Sequence, residues 1–296
     1  MSKIIIGIHG MGNKPEAKQL QVWWKKAILE GLEGKGHFFF LHFKMAYWAS
    51  ILHNQPLNRN INDKNDPLFI NEPYLKESYL EISSQNSEIK KRIRDRINDQ
   101  LDKLFLEKDG TLNFSYITDF IIRHFAKDLD AYYNEDHSRD VICRKLADTL
   151  YRNRRKKILL IAHSMGSIIT LDVLTKYVPE VKIHTLVTIG SPLGIPIVRS
   201  RILSDLKNED KNATQLKTPE NIKKAWYNLA DFKDRVAMSY DLKNDFLPNK
   251  RMVQPEDLLV HNNYEYDGEN NHHKSYGYLR CPEMGNILEH FLKVSF

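Results

Sequence analysis

The sequence predicts an α/β protein with a mostly parallel central sheet, helices on both faces and a helical insertion. Three observations carry that expectation. The runs Ile4-Ile5-Ile6-Gly7-Ile8 and Ile158-Leu159-Leu160-Ile161-Ala162 have strand length and no polar residue, the pattern of strands covered on both faces. Segments with helical spacing alternate with such runs, as in stacked βα units. Between them, residues 53 to 73 hold six asparagines and three prolines, which is loop chemistry that breaks the rhythm.

Taken in order, residues 3 to 9 read as a buried strand, Gly10-Met11-Gly12-Asn13 as a loop, and Glu16 to Leu32 as a helix. The aromatic-rich stretch His37 to Phe43 reads as a second strand. From about 74 to 150 the pattern is helical; Ile89, Ile93, Ile97, Leu101 and Leu104 form a stripe flanked by Lys90, Lys91, Arg92, Arg94 and Arg96. Such a stripe suits an amphipathic helix packed on the domain, or a lid helix touching a lipid or anionic surface. After the strand at 158 comes a helix to about 178, then a strand from Val181 to Ile189 that ends in Gly190-Ser191-Pro192. Residues 204 to 221 read as a polar surface loop, Lys224 to Ala230 as a strand, Leu258-Leu259-Val260 as a weak last strand and Met284 to Val294 as a closing helix. The expectation is one domain over residues 1–296 with an insertion or cap at 53–140.

Bulk properties narrow the function classes. A chain of 296 residues at 42% hydrophobic can bury a large core. Its net charge of +6 is a mild bias; the densest basic run, Arg152 to Lys157, abuts a strand and reads as a solvated turn, so nucleic acid is not expected as a partner. No stretch reaches the roughly 20 apolar residues of a membrane span. Two distant cysteines, Cys143 and Cys281, make no disulfide framework. With no export signal read at the N-terminus, the expectation is a cytoplasmic location.

The informative stretch is Ala162-His163-Ser164-Met165-Gly166, at the corner between a buried strand and a helix. A serine hydroxyl needs a base to take its proton, an acid to orient that base and donors for the oxyanion. A strand–Gly-x-Ser-x-Gly–helix turn lifts the hydroxyl clear of the backbone, and small residues two before and two after let strand and helix cross closely. Alanine here replaces the first glycine at the cost of one methyl. His9-Gly10-Met11-Gly12 follows the first strand, so the backbone N–H groups of Met11 and Met165 are the expected oxyanion donors. Gly10 and Gly12 lack the third glycine of a dinucleotide turn.

Ile8-His9-Gly10-Met11-Gly12 together with Ala162-His163-Ser164-Met165-Gly166 resembles the α/β-hydrolase superfamily on its lipase and esterase side. Thr188-Ile189-Gly190-Ser191-Pro192-Leu193 is similar to the strand end after the elbow in lipases of the acyltransferase and inositol-deacylase type. The resemblance covers about 3–45 and 120–296 and leaves the insertion unexplained. It implies the order nucleophile, acid, base. For the acid it points to Asp234 in Asp234-Arg235-Val236, where relatives carry Asp-Pro-Val; the arginine in place of proline keeps Asp231 as the alternate. For the base it points to His273, followed by Tyr276, with His272 as the alternate. His163 is the weakest base candidate, because a histidine before the nucleophile packs beside the elbow.

The implied activity is a serine hydrolase cleaving a carboxylic ester, lipid among the candidates, with no cofactor. Asp267, Glu269, His272 and His273 lie close in sequence but lack His-x-x-x-His spacing, so no metal is expected. The same residues would serve a thioesterase, amidase or acyltransferase, since loops and the insertion choose leaving group and acceptor. A non-catalytic binding or membrane-associated protein on the same scaffold is the alternative of another class. Peripheral membrane contact would come through the insertion.

Overall fold

A computed structural model of the chain describes residues 2–35, 41–76, 132–133, 136–209, 211, 214–237 and 241–293. Its centre is a six-stranded sheet in which every pair is parallel: β2 (Phe43–Ala46), β1 (Lys3–Ile8), β3 (Lys157–His163), β4 (Ile183–Ile189), β6 (Ile222–Asp231) and β8 (Pro255–Val260), in that spatial order. The alternation of side chains along a strand divides the apolar runs between two cores. Ile4, Ile6 and Ile8 of β1 with Ile158, Leu160 and Ala162 of β3 face one side, under α3 (Asp136–Arg152), α4 (Met165–Asp172) and α5 (Pro196–Glu209). Ile5, Leu159 and Ile161 face the other, under α1 (Ala17–Gly31), α7 (Ser275–Arg280) and α8 (Pro282–Lys293). At Gly7 an added Cβ would lie 2.9 Å from the rings of both Trp24 and Phe43, so α1 packs on bare backbone there.

Strand order decides where a ligand can sit. The chain leaves β1 for β2 on one edge, then returns across β1 to β3 and proceeds through β4, β6 and β8 in the opposite direction. Loops after β1 and β3 therefore diverge, opening a crevice at their carboxyl ends. These loops are His9-Gly10-Met11 and the turn at Ser164.

Two expectations require correction. Among the described residues the second strand is Phe43–Ala46, beginning where the expected His37–Phe43 run ends; its register against β1, Ile5 with Phe43 through Ile8 with Ala46, sets it there. Residues 36–40 lie outside the described residues. The supposed polar loop from 204 belongs in its first part to α5. Val198, Ile202 and Leu206 recur four apart and pack on the core, and Pro196 occupies the first turn, where a missing N–H costs nothing. Leu216–Lys217 (β5) then pairs with Phe246–Leu247 (β7), the latter following α6 (Leu242–Asp245).

Of the expected insertion, residues 77–131, with the whole isoleucine stripe, lie outside the described residues. The part before it runs over the last loops of the sheet. Tyr264 donates its hydroxyl to the Pro73 carbonyl at 2.7 Å, and Glu72 accepts from Asn271 at 2.5 Å and from Lys274 at 2.8 Å. Residues 265–270 form a small hairpin, β9 (Glu265–Tyr266) with β10 (Glu269–Asn270).

Candidate active site

Ser164 is the residue between β3 and α4, with φ 53° and ψ −129°, a conformation that L-residues adopt only under constraint. The constraint is visible on every side. The Ser164 N–H donates to Ile189 O at the end of β4 (3.0 Å). Ser167 donates its hydroxyl to the Ser164 carbonyl (2.6 Å) and meets the Ser191 hydroxyl at 2.8 Å, tying the first turn of α4 to the β4 exit. A Cβ on Gly166 would sit 2.9 Å from the carbonyl oxygens of both Ile8 and His9, so the residue two after the serine must be glycine for α4 to pass the end of β1.

The structure brings Asp234 and His273 to this serine. His273 Nε2 lies 3.0 Å from Ser164 Oγ, and its Nδ1 lies 2.9 and 3.0 Å from the two Asp234 carboxylate oxygens. A carboxylate can only accept, so Nδ1 carries the proton and Nε2 presents its lone pair to the serine hydroxyl. The Asp234 side chain is fully buried, and that of His273 is about a quarter exposed. Asp234 also accepts from the Val236 N–H (2.9 Å), the Ala237 N–H (3.4 Å) and the Tyr278 hydroxyl (2.7 Å). Gly190, at φ 54°, leaves the space these groups fill: a Cβ there would lie 3.0 Å from Asp234 Oδ2 and 3.1 Å from His273 Nδ1.

The alternates stand elsewhere. Asp231 ends β6 and accepts from the N–H groups of Lys233 (2.7 Å) and Asn262 (2.6 Å). His272 directs Nδ1 to the Asn262 carbonyl at 3.1 Å, 3.6 Å from Asp231. His163 donates from Nε2 to the His273 carbonyl at 2.8 Å; burial, then the proximity of His273, hold its pKa well below that of a free imidazole, so it stays neutral beside the elbow.

On the side of β1, Gly10 passes so close that a Cβ would lie 2.6 Å from Ser164 Cβ and 3.2 Å from its hydroxyl oxygen. His9 fixes this loop. It is buried, stacks on Trp48 with ring centres 4.9 Å apart, donates from Nδ1 to the Gly10 carbonyl (2.7 Å) and accepts at Nε2 from the Trp48 N–H (3.1 Å). In a trans peptide the C=O and N–H point oppositely, so anchoring the Gly10 carbonyl orients the Met11 N–H. The Lys14 ammonium collects the next carbonyls, those of Met11 and, at 3.0 Å, Gly12. Burial and then Lys14 pull the His9 pKa down to about 3, which preserves its donor and acceptor at neutral pH. Met165 is fully buried at the first position of α4.

Sequence reading missed Tyr278, Asn262 and Asn271, the last accepting from the His273 N–H at 2.9 Å. Tyr278 was in reach, two residues beyond the tyrosine singled out after His273. Tyr276 itself packs among Trp23, Tyr74 and Tyr264.

Residues 136–204 match the family model of lecithin:cholesterol acyltransferase. A comparison with curated proteins gives no match. The matched stretch contains α3, β3, the Ser164 turn, α4 and β4, ending within α5. In its parallel sheet and in this central segment, the chain resembles the lipases and acyltransferases of the α/β-hydrolase type.

Proposed function

We propose that the protein is a serine hydrolase of carboxylic esters, with lipid acyl esters as the substrate class. The observation that carries the reading is the unbroken sequence of contacts from Ser164 Oγ to His273 Nε2 and from His273 Nδ1 to Asp234, on a serine held at φ 53°. In the reaction Ser164 Oγ attacks the acyl carbon while His273 Nε2 takes the hydroxyl proton. Asp234 stabilises the resulting imidazolium, and the N–H groups of Met11 and Met165 receive the oxyanion. The tetrahedral adduct collapses, His273 gives its proton to the departing alkoxide, and an acyl-enzyme remains. A water molecule, deprotonated by the same histidine, attacks that ester, and the acid leaves with Ser164 restored.

The family match favours lipid esters and gives a second reading its footing: an alcohol replaces water in the last step, making the protein an acyltransferase. In either case residues 53–140 are the proposed cap, and peripheral contact with a lipid surface is assigned to them.

The test is labelling with a fluorophosphonate, together with turnover of p-nitrophenyl esters of short and long acyl chain. Wild type is expected to label and turn over, Ser164→Ala to do neither, and His273→Ala to lose about 10²–10⁴-fold in kcat, whereas His272→Ala stays near wild type. A folded wild type that neither labels nor hydrolyses would exclude the reading. Adding a long-chain alcohol or sterol and weighing ester product against free acid separates transfer from hydrolysis.

A further inference from the structure

The ring of His273 lies on a loop rather than on a strand or helix, between Asn270 and Ser275. A base on a loop keeps its alignment only if the backbone on both sides is held. Asn262, just past the end of β8, does this with a single side-chain amide. Its Nδ2 donates to the His272 carbonyl and to the Lys274 carbonyl, each at 2.8 Å, holding the carbonyls of the two residues that flank His273. Its Oδ1 accepts from the Tyr264 N–H at 3.1 Å, so the direction of the amide is fixed, and its own N–H donates to Asp231 at 2.6 Å. The side chain is fully buried. Gly277 makes room for it: a Cβ there would fall 1.7 Å from Asn262 Oδ1.

Asp231 extends the clasp to the acid. Its backbone N–H donates to the Tyr278 hydroxyl (2.9 Å), which in turn donates to Asp234. The residue that holds Asn262 thus also seats the group that orients Asp234. From this geometry, we infer that Asn262 is a positioning residue for the reaction, setting the His273 imidazole between Ser164 and Asp234 without touching substrate. This rests on the serine hydrolase reading for its kinetic consequence, but the geometric part stands apart from it.

Asn262→Asp keeps the shape and the acceptor and loses both donations; Asn262→Ala loses all. In each variant kcat is expected to fall about 10- to 100-fold, the loss that a displacement near 1 Å brings. KM is expected to stay within about twofold, as for an interaction used in the transition state alone. The second readout is the proton shared by His273 Nδ1 and Asp234, observed by NMR far downfield of the amide protons. It is expected to sharpen in wild type and to vanish or broaden in a variant that still unfolds cooperatively. A folded variant with unchanged kcat and an unchanged downfield resonance would overturn the inference. So would loss of the folded state in both variants, since Asn262 would then be structural only. Should wild type fail to label or turn over, the hydrolase reading falls, and the downfield resonance still decides whether Asn262 sets the imidazole.

Discussion

At Ser164 a hydroxyl in contact with an imidazole and a strained backbone occupy one residue. The φ of 53° carries a cost of about 1–3 kcal/mol for a residue with a Cβ, offset by the hydrogen bonds around the turn. Glycine adopts that conformation freely. Ser164→Gly is therefore expected to be about 1 kcal/mol more stable than Ser164→Ala, both lacking the hydroxyl. Urea unfolding of the two variants checks this, and equal midpoints would show the turn to be unstrained. Much of this site was legible at the residue level, because Ser164, Asp234 and His273 each sit in a short local pattern. Asn262 and Tyr278 do not. Each acquires its role from a chain segment brought near only by the fold: Asn262 from His272 and Lys274, and Tyr278 from Asp231 and Asp234.

Among the elements, the strand exits divide the work. β1 delivers the loop of Gly10 and Met11, β3 delivers Ser164, β6 runs into the turn of Asp231 and Asp234, and β8 leads to Asn262 and the His273 loop. β4 contributes vacancy, through Gly190. Gly190→Ala is expected to press on Asp234 and His273 and to strain a backbone at φ 54°, costing about 1–3 kcal/mol of stability and about 10²-fold in kcat. Thermal melts and ester kinetics measure both, and unchanged kcat in the folded variant would mean that the acid–base pair tolerates displacement. Element types followed from apolar periodicity, and where that reading failed the cause was local. In α5, charged and polar residues from Ser204 to Glu209 resemble a loop unless the apolar face that begins at Val198 is followed through them. β2 was drawn toward the aromatic run, whereas pairing with β1 sets its register.

For the whole molecule, buried neutral histidines set the response to acid. His9 is depressed to about 3 and His163 also lies well below the ordinary 6.5, burial being the chief cause for both. In the unfolded chain these imidazoles take up protons below about 6.5 while the folded protein leaves them neutral. Unfolding then binds protons, so stability is fully present above the unfolded pKa and falls as pH drops from about 6.5, by up to about 1.4 kcal/mol per pH unit for each group. Urea midpoints measured from pH 7.5 to 5.0 should hold nearly level at first and decline below about 6.5; a flat series throughout would mean that the two rings are not buried as described. Burial raises the carboxyls of Asp245, Asp257 and Glu30, which works in the opposite sense at lower pH.

The order in which the strands contribute has a consequence for biogenesis. A chain emerging from the ribosome presents the serine of residue 164 more than a hundred residues before the histidine of residue 273. The clasp on that histidine closes only when the loop after β8 and the tyrosine of α7 have docked. A nascent or prematurely terminated chain thus carries the proposed nucleophile without its proposed base. On the proposed hydrolase reading, acyl chemistry is withheld until the C-terminal quarter is in place, and ester turnover emerging during synthesis would report the last docking step of the fold.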